Sequence, residues 1–211
     1  MLLLITNCRK FLEIFRKYGI VFKMENVKKF CVDSSRFGKI FYEEQDILFF
    51  PRGIPAFEEN RSWVLVGDNT SALKWLQNIE SPSLALPVTS PDAVKPDYNA
   101  RIPDDDLALI SETDDQKIPE KVSASNLALL IVVSIPEAAP WNMSANLRAP
   151  ILINLKTRKA VQVIALNEEY PIRHIVFPDD VREKMRQDYQ HRENQAKAQS
   201  NAQSKGSDAS C

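Results

Sequence analysis

The sequence predicts a mainly β protein: a single compact antiparallel β-barrel or sandwich-like domain with one or two short helices and a C-terminal helical or disordered tail. Three observations predict it. Between Val27 and Phe177 the apolar residues fall in short runs, of period two or wholly apolar, broken by Pro and by Asp, Asn and Ser clusters. One run, Leu127 to Ile135 (LALLIVVSI), is apolar on both faces and reads as a central strand covered on both sides. No long helical pattern alternates with these runs, which favours a closed or semi-closed barrel or a sandwich.

Taken in order, the first strand candidates are Val27 to Val32, Lys39 to Tyr42, Ile47 to Phe50, Ser62 to Val66, Leu73 to Ile79 and Leu84 to Thr89. Tyr98 to Ile102, Leu127 to Ile135, Ala149 to Leu155 and Ala160 to Leu166 complete them. Pro150 places the start of its strand at an edge or a bulge. Pro103 to Ile110 predicts a helical turn or two, because Pro and three successive Asp residues suit a helix N-terminus. Pro178-Asp179-Asp180 starts another helix, with Val181, Met185 and Tyr189 on a thin apolar stripe. Gln195 to Cys211 is too polar to bury much and is expected to be disordered.

The chain therefore divides into an N-terminal extension (1–23), a β domain (24–177) and a helical then disordered tail (178–211). Residues 1–30 are basic, whereas residues 31–177 hold 14 basic and 20 acidic side chains, inside a 211-residue chain of net charge -1. An acidic domain repels a phosphate backbone, so direct nucleic-acid binding is not expected and a basic protein is the better match. Arg9 to Phe22 has two readings. It is an amphipathic segment lying on a membrane, with Phe11, Leu12, Phe15 and Tyr18 opposite Arg9, Lys10, Arg16 and Lys17, or it is foreign to a domain that starts at Met24, the preferred reading.

Met1 to Ile5 lacks the basic flank and length of an export signal, and mean hydropathy is -0.28 with no apolar run near about 18 residues. Cys8, Cys31 and Cys211 form no CxxC pair, and reduced thiols fit a cytoplasmic protein.

Signals for catalysis are weak. His174 and His191 are the side chains titrating near neutrality; the second lies in the tail, and the first reads as a strand-end histidine. There is no GxSxG elbow, and Gly19, Gly38, Gly53, Gly67 and Gly206 never fall in a phosphate-cradling spacing. Asp104-Asp105-Asp106 and Asp114-Asp115 lack the spacing of a calcium loop. No catalytic residue, cofactor or metal is expected. Trp63, Trp75, Trp141, Phe57 and Tyr98 suit either protein contacts or a core.

Phe50-Pro51-Arg52-Gly53-Ile54-Pro55-Ala56-Phe57-Glu58 resembles the FPxGxPGFE segment of the flagellar assembly factor FliW family. Trp75-Leu76-Gln77-Asn78, Ser81-Pro82-Ser83-Leu84-Ala85-Leu86 and Pro96-Asp97-Tyr98 follow in the family's order. Ile135-Pro136, Ala145-Asn146-Leu147-Arg148-Ala149-Pro150-Ile151-Leu152-Ile153-Asn154 and Tyr170-Pro171-Ile172-Arg173 extend the resemblance over about 35 to 174. Ala56 and Ala160 stand where the family commonly has Gly; if position 56 needs a positive φ, its turn is strained or altered.

The resemblance implies a partner switch without catalysis. Such proteins bind the RNA-binding repressor CsrA and relieve its repression of flagellin mRNA, and they bind cytoplasmic flagellin as a competing partner. A flagellin chaperone without a CsrA role and a small-molecule-binding or hydrolytic β-barrel are the alternatives. The protein is expected to be a monomer with no membrane association. Two prolines and Gly53 should make 51–55 rigid and hold Ile54 out as a preorganised contact. The expected partner-binding residues are Pro51, Gly53, Ile54, Phe57, Gln77, Asn78, Asn146, Arg148 and Asn154, with satisfaction of local backbone as the other reading of the last three.

Overall fold

Alternating runs became strands in a computed structural model that describes residues 29–68, 70–111 and 124–207. The N-terminal extension, the start of the first predicted strand, Asn69 and Asp114-Asp115 lie outside the described residues. The chain forms two units, one comprising the chain up to Ser134 with Ala145–His174, the other Ile135–Ser144 with Ile175 onward.

β1 (Phe30–Ser34) and β2 (Gly38–Tyr42) make an antiparallel hairpin. Its turn closes because Ser34 Oγ accepts from the Arg36 and Phe37 amides, while Gly38 takes φ +66. β3 (Ile47–Phe49), β4 (Ser62–Val66), β5 (Leu73–Asn78) and β6 (Ala85–Thr89) follow as an antiparallel meander. Helix α1 spans Asp104–Ile110 and β7 Leu127–Ser134. β8 (Ser144–Ala145) and β11 (His174–Ile175) stand where the chain crosses between the units. Between them come β9 (Ile151–Asn154) and β10 (Ala160–Gln162); helix α2 (Asp179–Ser207) ends the described chain.

The main sheet runs β10-β9-β7-β6-β5-β4-β3. It is not a closed barrel: among the described residues β3 reaches the other end of the sheet through an isolated parallel bridge, Phe49 to Lys159 just before β10, where the Phe49 amide donates to the Arg158 carbonyl at 2.9 Å. The sandwich-like, mainly antiparallel reading stands, and β7 is interior and almost wholly buried, as its sequence required. One core gathers Leu48, Phe50, Ile54, Trp63, Leu76, Val88, Leu130, Ile151 and Ile153. Burying such side chains contributes about 1.5–3 kcal/mol each.

The hairpin seats on β5. Ser34 Oγ donates to Gln77 Oε1 at 2.7 Å, the Ser35 amide donates to the Pro82 carbonyl at 3.2 Å, and Phe37 meets Trp75 edge-on at 5.6 Å. The Arg36 guanidinium lies 4.0 Å from the Trp75 ring centre.

Three expectations need correction. Tyr98 to Ile102 is not a strand. Its backbone bonds go to side chains and loops: the Asn99 amide donates to Tyr170 Oη, the Arg101 amide to Asn167 Oδ1, and the Leu166 amide to the Arg101 carbonyl. Pro150 does not mark an edge, since β9 pairs on both sides; it precedes the ladder and supplies only a carbonyl, to the Val163 amide. Finally, α2 continues past Gln195 to Ser207, because a run with three Ala, three Gln and two Lys propagates a helix that is already nucleated.

Candidate partner-binding site

The FPRGIPAFE segment folds as two successive tight turns between β3 and β4. The Gly53 amide donates to the Phe50 carbonyl at 2.9 Å, and the Phe57 amide to the Ile54 carbonyl at 2.7 Å. Gly53 has φ +71, and a β-carbon there would lie 2.4 Å from the Glu58 backbone, so only glycine fits. Ala56 has φ +74, the strained backbone that its replacement of Gly foreshadowed. Its amide is held by Glu58 Oε1 at 2.9 Å, and hydrogen bonds from the Glu58 and Ala56 amides keep that carboxyl below its ordinary range.

The ANLRAP segment, Ala145 to Pro150, is pinned from several directions. The Asn146 amide donates to the Val132 carbonyl at 2.9 Å, and Asn146 Oδ1 accepts from the Ala149 amide at 3.0 Å. Tyr98 Oη donates to the Leu147 carbonyl at 2.8 Å, with the Tyr98 and Tyr170 rings stacked at 4.6 Å. Burial, and then the neighbouring Tyr170, push the Tyr98 phenol well above its ordinary range. Arg148 donates to the Asn167 carbonyl. Asn167 Nδ2 donates to Glu169, which with that segment's backbone and the nearby Arg101 and Arg148 holds the Glu169 carboxyl low.

Two neighbouring segments run along ANLRAP and carry its exposed apolar groups. The Val163 and Ala165 amides donate to the Pro150 and Arg148 carbonyls, both at 2.9 Å, and the Leu147 amide donates to the Pro171 carbonyl at 3.2 Å. Val163 and Ala165 turn inward, so Ile164 (66% exposed) and Leu166 (49%) alternate outward, with Ile172 (67%) on the adjoining segment. Large aliphatic side chains this exposed beside a rigid polar loop are what a protein contact uses.

A family model described as FliW protein matches residues 31–176. The chain belongs to the FliW family. Flagellar assembly factor FliW of Caldanaerobacter subterraneus subsp. tengcongensis is 35% identical over 150 residues, covering 70% of this chain and 93% of the relative. That of Caldicellulosiruptor bescii is 36% identical over 151 residues, covering 72% and 93%, and that of Thermotoga maritima 34% over 157 residues, covering 72% and 97%. A crystal structure of the flagellar assembly factor FliW aligns with a TM-score of 0.61 at 28% identity, over 71% of this chain and 99% of that chain.

Within this FliW-family fold the predicted site residues fall into separate neighbourhoods. Ile54 is not a displayed contact: at 3% exposure it belongs to the core, because the left-handed residues on either side fold the turn back and send its side chain inward. Phe57 packs half-buried against that core, Pro51 is half-buried and Gly53 buried. Arg52, Pro55, Ala56 and Glu58 are what this turn shows to solvent, and Arg52 reaches Asp106 of α1 at 3.6 Å.

Gln77, Asn78 and Asn154 are also buried, and their amides are spent on backbone and, for the Gln77 oxygen, on the Ser34 hydroxyl. Gln77 Nε2 donates to the Asn78, Pro82 and Leu84 carbonyls at 2.9, 3.1 and 3.1 Å. Asn78 bridges the Ser62 carbonyl and the Glu80 and Ser81 amides. Asn154 Nδ2 donates to the Ile110 carbonyl at 2.9 Å, while its Oδ1 accepts from the Lys156 and Thr157 amides. Of the predicted residues, Asn146 and Arg148 are the half-buried ones that lie beside the exposed aliphatic group.

Sequence reasoning missed Ile164, Leu166 and Ile172. A signal was present: the stretch from Val163 to Leu166 is apolar on both alternating faces, although only one face can meet the core. Among the described residues no three His, Cys, Asp or Glu side chains are grouped to hold a metal ion, and no helix is long and apolar enough to cross a membrane.

Proposed function

We propose that this FliW-family chain is a cytoplasmic, non-enzymatic regulator of flagellar assembly that acts by occupying protein partners. Its partners are a CsrA-type translational repressor, whose block on flagellin mRNA it relieves, and cytoplasmic flagellin, which competes for it. The observation that carries the reading is the rigid ANLRAP segment flanked by outward-facing Ile164, Leu166 and Ile172. The charge deficit of residues 31–177 adds attraction for a basic RNA-binding partner. Exposed aliphatics suit an amphipathic helix such as flagellin termini offer.

Calorimetric titration of purified repressor and purified flagellin into the full chain tests this. Both should bind at micromolar concentration or tighter, and Ile164→Asp with Ile172→Asp should weaken at least one by about tenfold or more while thermal unfolding is kept. Binding of flagellin alone would reduce the role to a flagellin chaperone. Binding of neither overturns the proposal.

A further inference from the structure

Helix α2 lies beyond the part of the chain that the family shares. The FliW model ends at residue 176, and the aligned FliW crystal structure is covered over 99% of its length by 71% of this chain. With 29 residues, α2 is about 43 Å long by its rise per residue.

Only its first turns are anchored by the contacts seen among described side chains. Arg182, Met185 and Tyr189, at i, i+3 and i+7, share one face. The Tyr189 ring meets Trp141 edge-on at 5.3 Å, and Arg182 Nη2 donates to Asn142 Oδ1 at 2.8 Å. Met185 is half-buried between them in sequence. Trp141 and Asn142 sit on a short helical turn, Pro140–Asn142, inside the loop that runs from Ile135 to Ser144.

The fit is incomplete. Arg182 Nε is buried with no hydrogen-bond partner, which works against the docked state. Val181 and Tyr189 remain partly in solvent, and Gln190, His191, Arg192, Asn194 and Gln195 are exposed. An aromatic anchor with one charged hydrogen bond and little else holds the helix, helped chiefly by its being tethered.

We propose that the Trp141 loop is a helix-accepting surface and that the start of α2 is its built-in, displaceable cover. The competing occupant is a helix with the same pattern: a cation at i, an apolar residue at i+3 and an aromatic at i+7. Partner access to this loop is then gated by the chain's own C-terminus, a property independent of which partners use the Ile164 surface.

The test uses the full chain labelled with 5-fluorotryptophan, the Trp141 fluorine resonance being assigned with Trp141→Phe. In Tyr189→Asp the Trp141 resonance should move to a solvent-exposed position while that of Trp63, buried in the β core, stays in place. A synthetic peptide of residues 178–195 should then return it, and should bind the wild-type chain, whose surface is filled, at least about tenfold more weakly. Met185→Asp repeats the measurement should Tyr189→Asp disturb Trp63. An unmoved Trp141 resonance, equal peptide binding by the two chains, or no binding by the released one overturns the proposal.

Discussion

Gly53 and Glu58 approach so closely across the FPRGIPAFE turn that a β-carbon on the first would lie 2.4 Å from the Cα of the second. Gly53→Ala therefore has to move backbone as well as adopt φ +71. A loss of about 3 kcal/mol or more is expected. Gly38→Ala shares the positive φ but meets nothing within 4 Å, so it should cost only about 1 kcal/mol. Urea denaturation of the two variants separates crowding from conformation.

Ala56 holds φ +74 without the freedom of glycine. Ala56→Gly should relieve that strain and raise stability by about 0.5–1 kcal/mol, the gain being reduced by the looser unfolded chain. An unchanged or lower denaturation midpoint would show that the turn is not strained.

Ile54→Asp should unfold the protein or cost more than about 3 kcal/mol, because it places a carboxylate in the core beside Leu48, Phe50 and Trp63. A well-folded variant with impaired partner binding would restore Ile54 as a surface contact. Thermal unfolding followed by near-ultraviolet circular dichroism distinguishes the outcomes.

Asn154 joins the end of α1 to the turn after β9. Asn154→Ala gives up its bond to the Ile110 carbonyl and those from the Lys156 and Thr157 amides, an expected cost of about 2 kcal/mol. Asn154→Asp keeps both acceptor bonds but sets a buried carboxylate oxygen against the Ile110 carbonyl, so it should cost at least as much as Asn154→Ala. Partner affinity of the folded fraction should be unchanged, as measured by titration at low temperature.

Tyr98 gives the protein an alkaline weakness. Its folded-state pKa is raised, by burial first and Tyr170 second, so its contribution is complete below the ordinary phenol pKa near 10 and is lost as pH rises from there through the folded value. Above about pH 10 the unfolded chain releases this proton before the folded one does, and stability falls. Tyr98→Phe should cost about 1 kcal/mol at neutral pH, through the lost bond to the Leu147 carbonyl, and should flatten that decline. Denaturation midpoints between pH 8 and 11 give both quantities.

The amino-acid pattern by itself determined most of the long strands and the family. Ser62–Val66 matches its predicted bounds, β7 is the covered central strand that LALLIVVSI demanded, and the FPRGIPAFE and ANLRAPILIN segments announce a FliW-family chain. Periodicity encodes which backbone is extended and which side is apolar, and both are local properties.

Only the tertiary structure decided what those segments expose. The amide of Asn154 is claimed by a carbonyl 44 residues away, the side chain of Gln77 by a hydroxyl 43 away, and the Asn99 amide by a phenol 71 away. Those pairings turned predicted contact residues into internal brackets and kept Tyr98 to Ile102 out of the sheet. Likewise, Ile54 turns into the core from a loop that carries left-handed residues on both sides of it. Ile164 and Leu166 face outward because the core had room for one side of the extended segment after β10, and that limit belongs to the assembled layers rather than to any short stretch of chain.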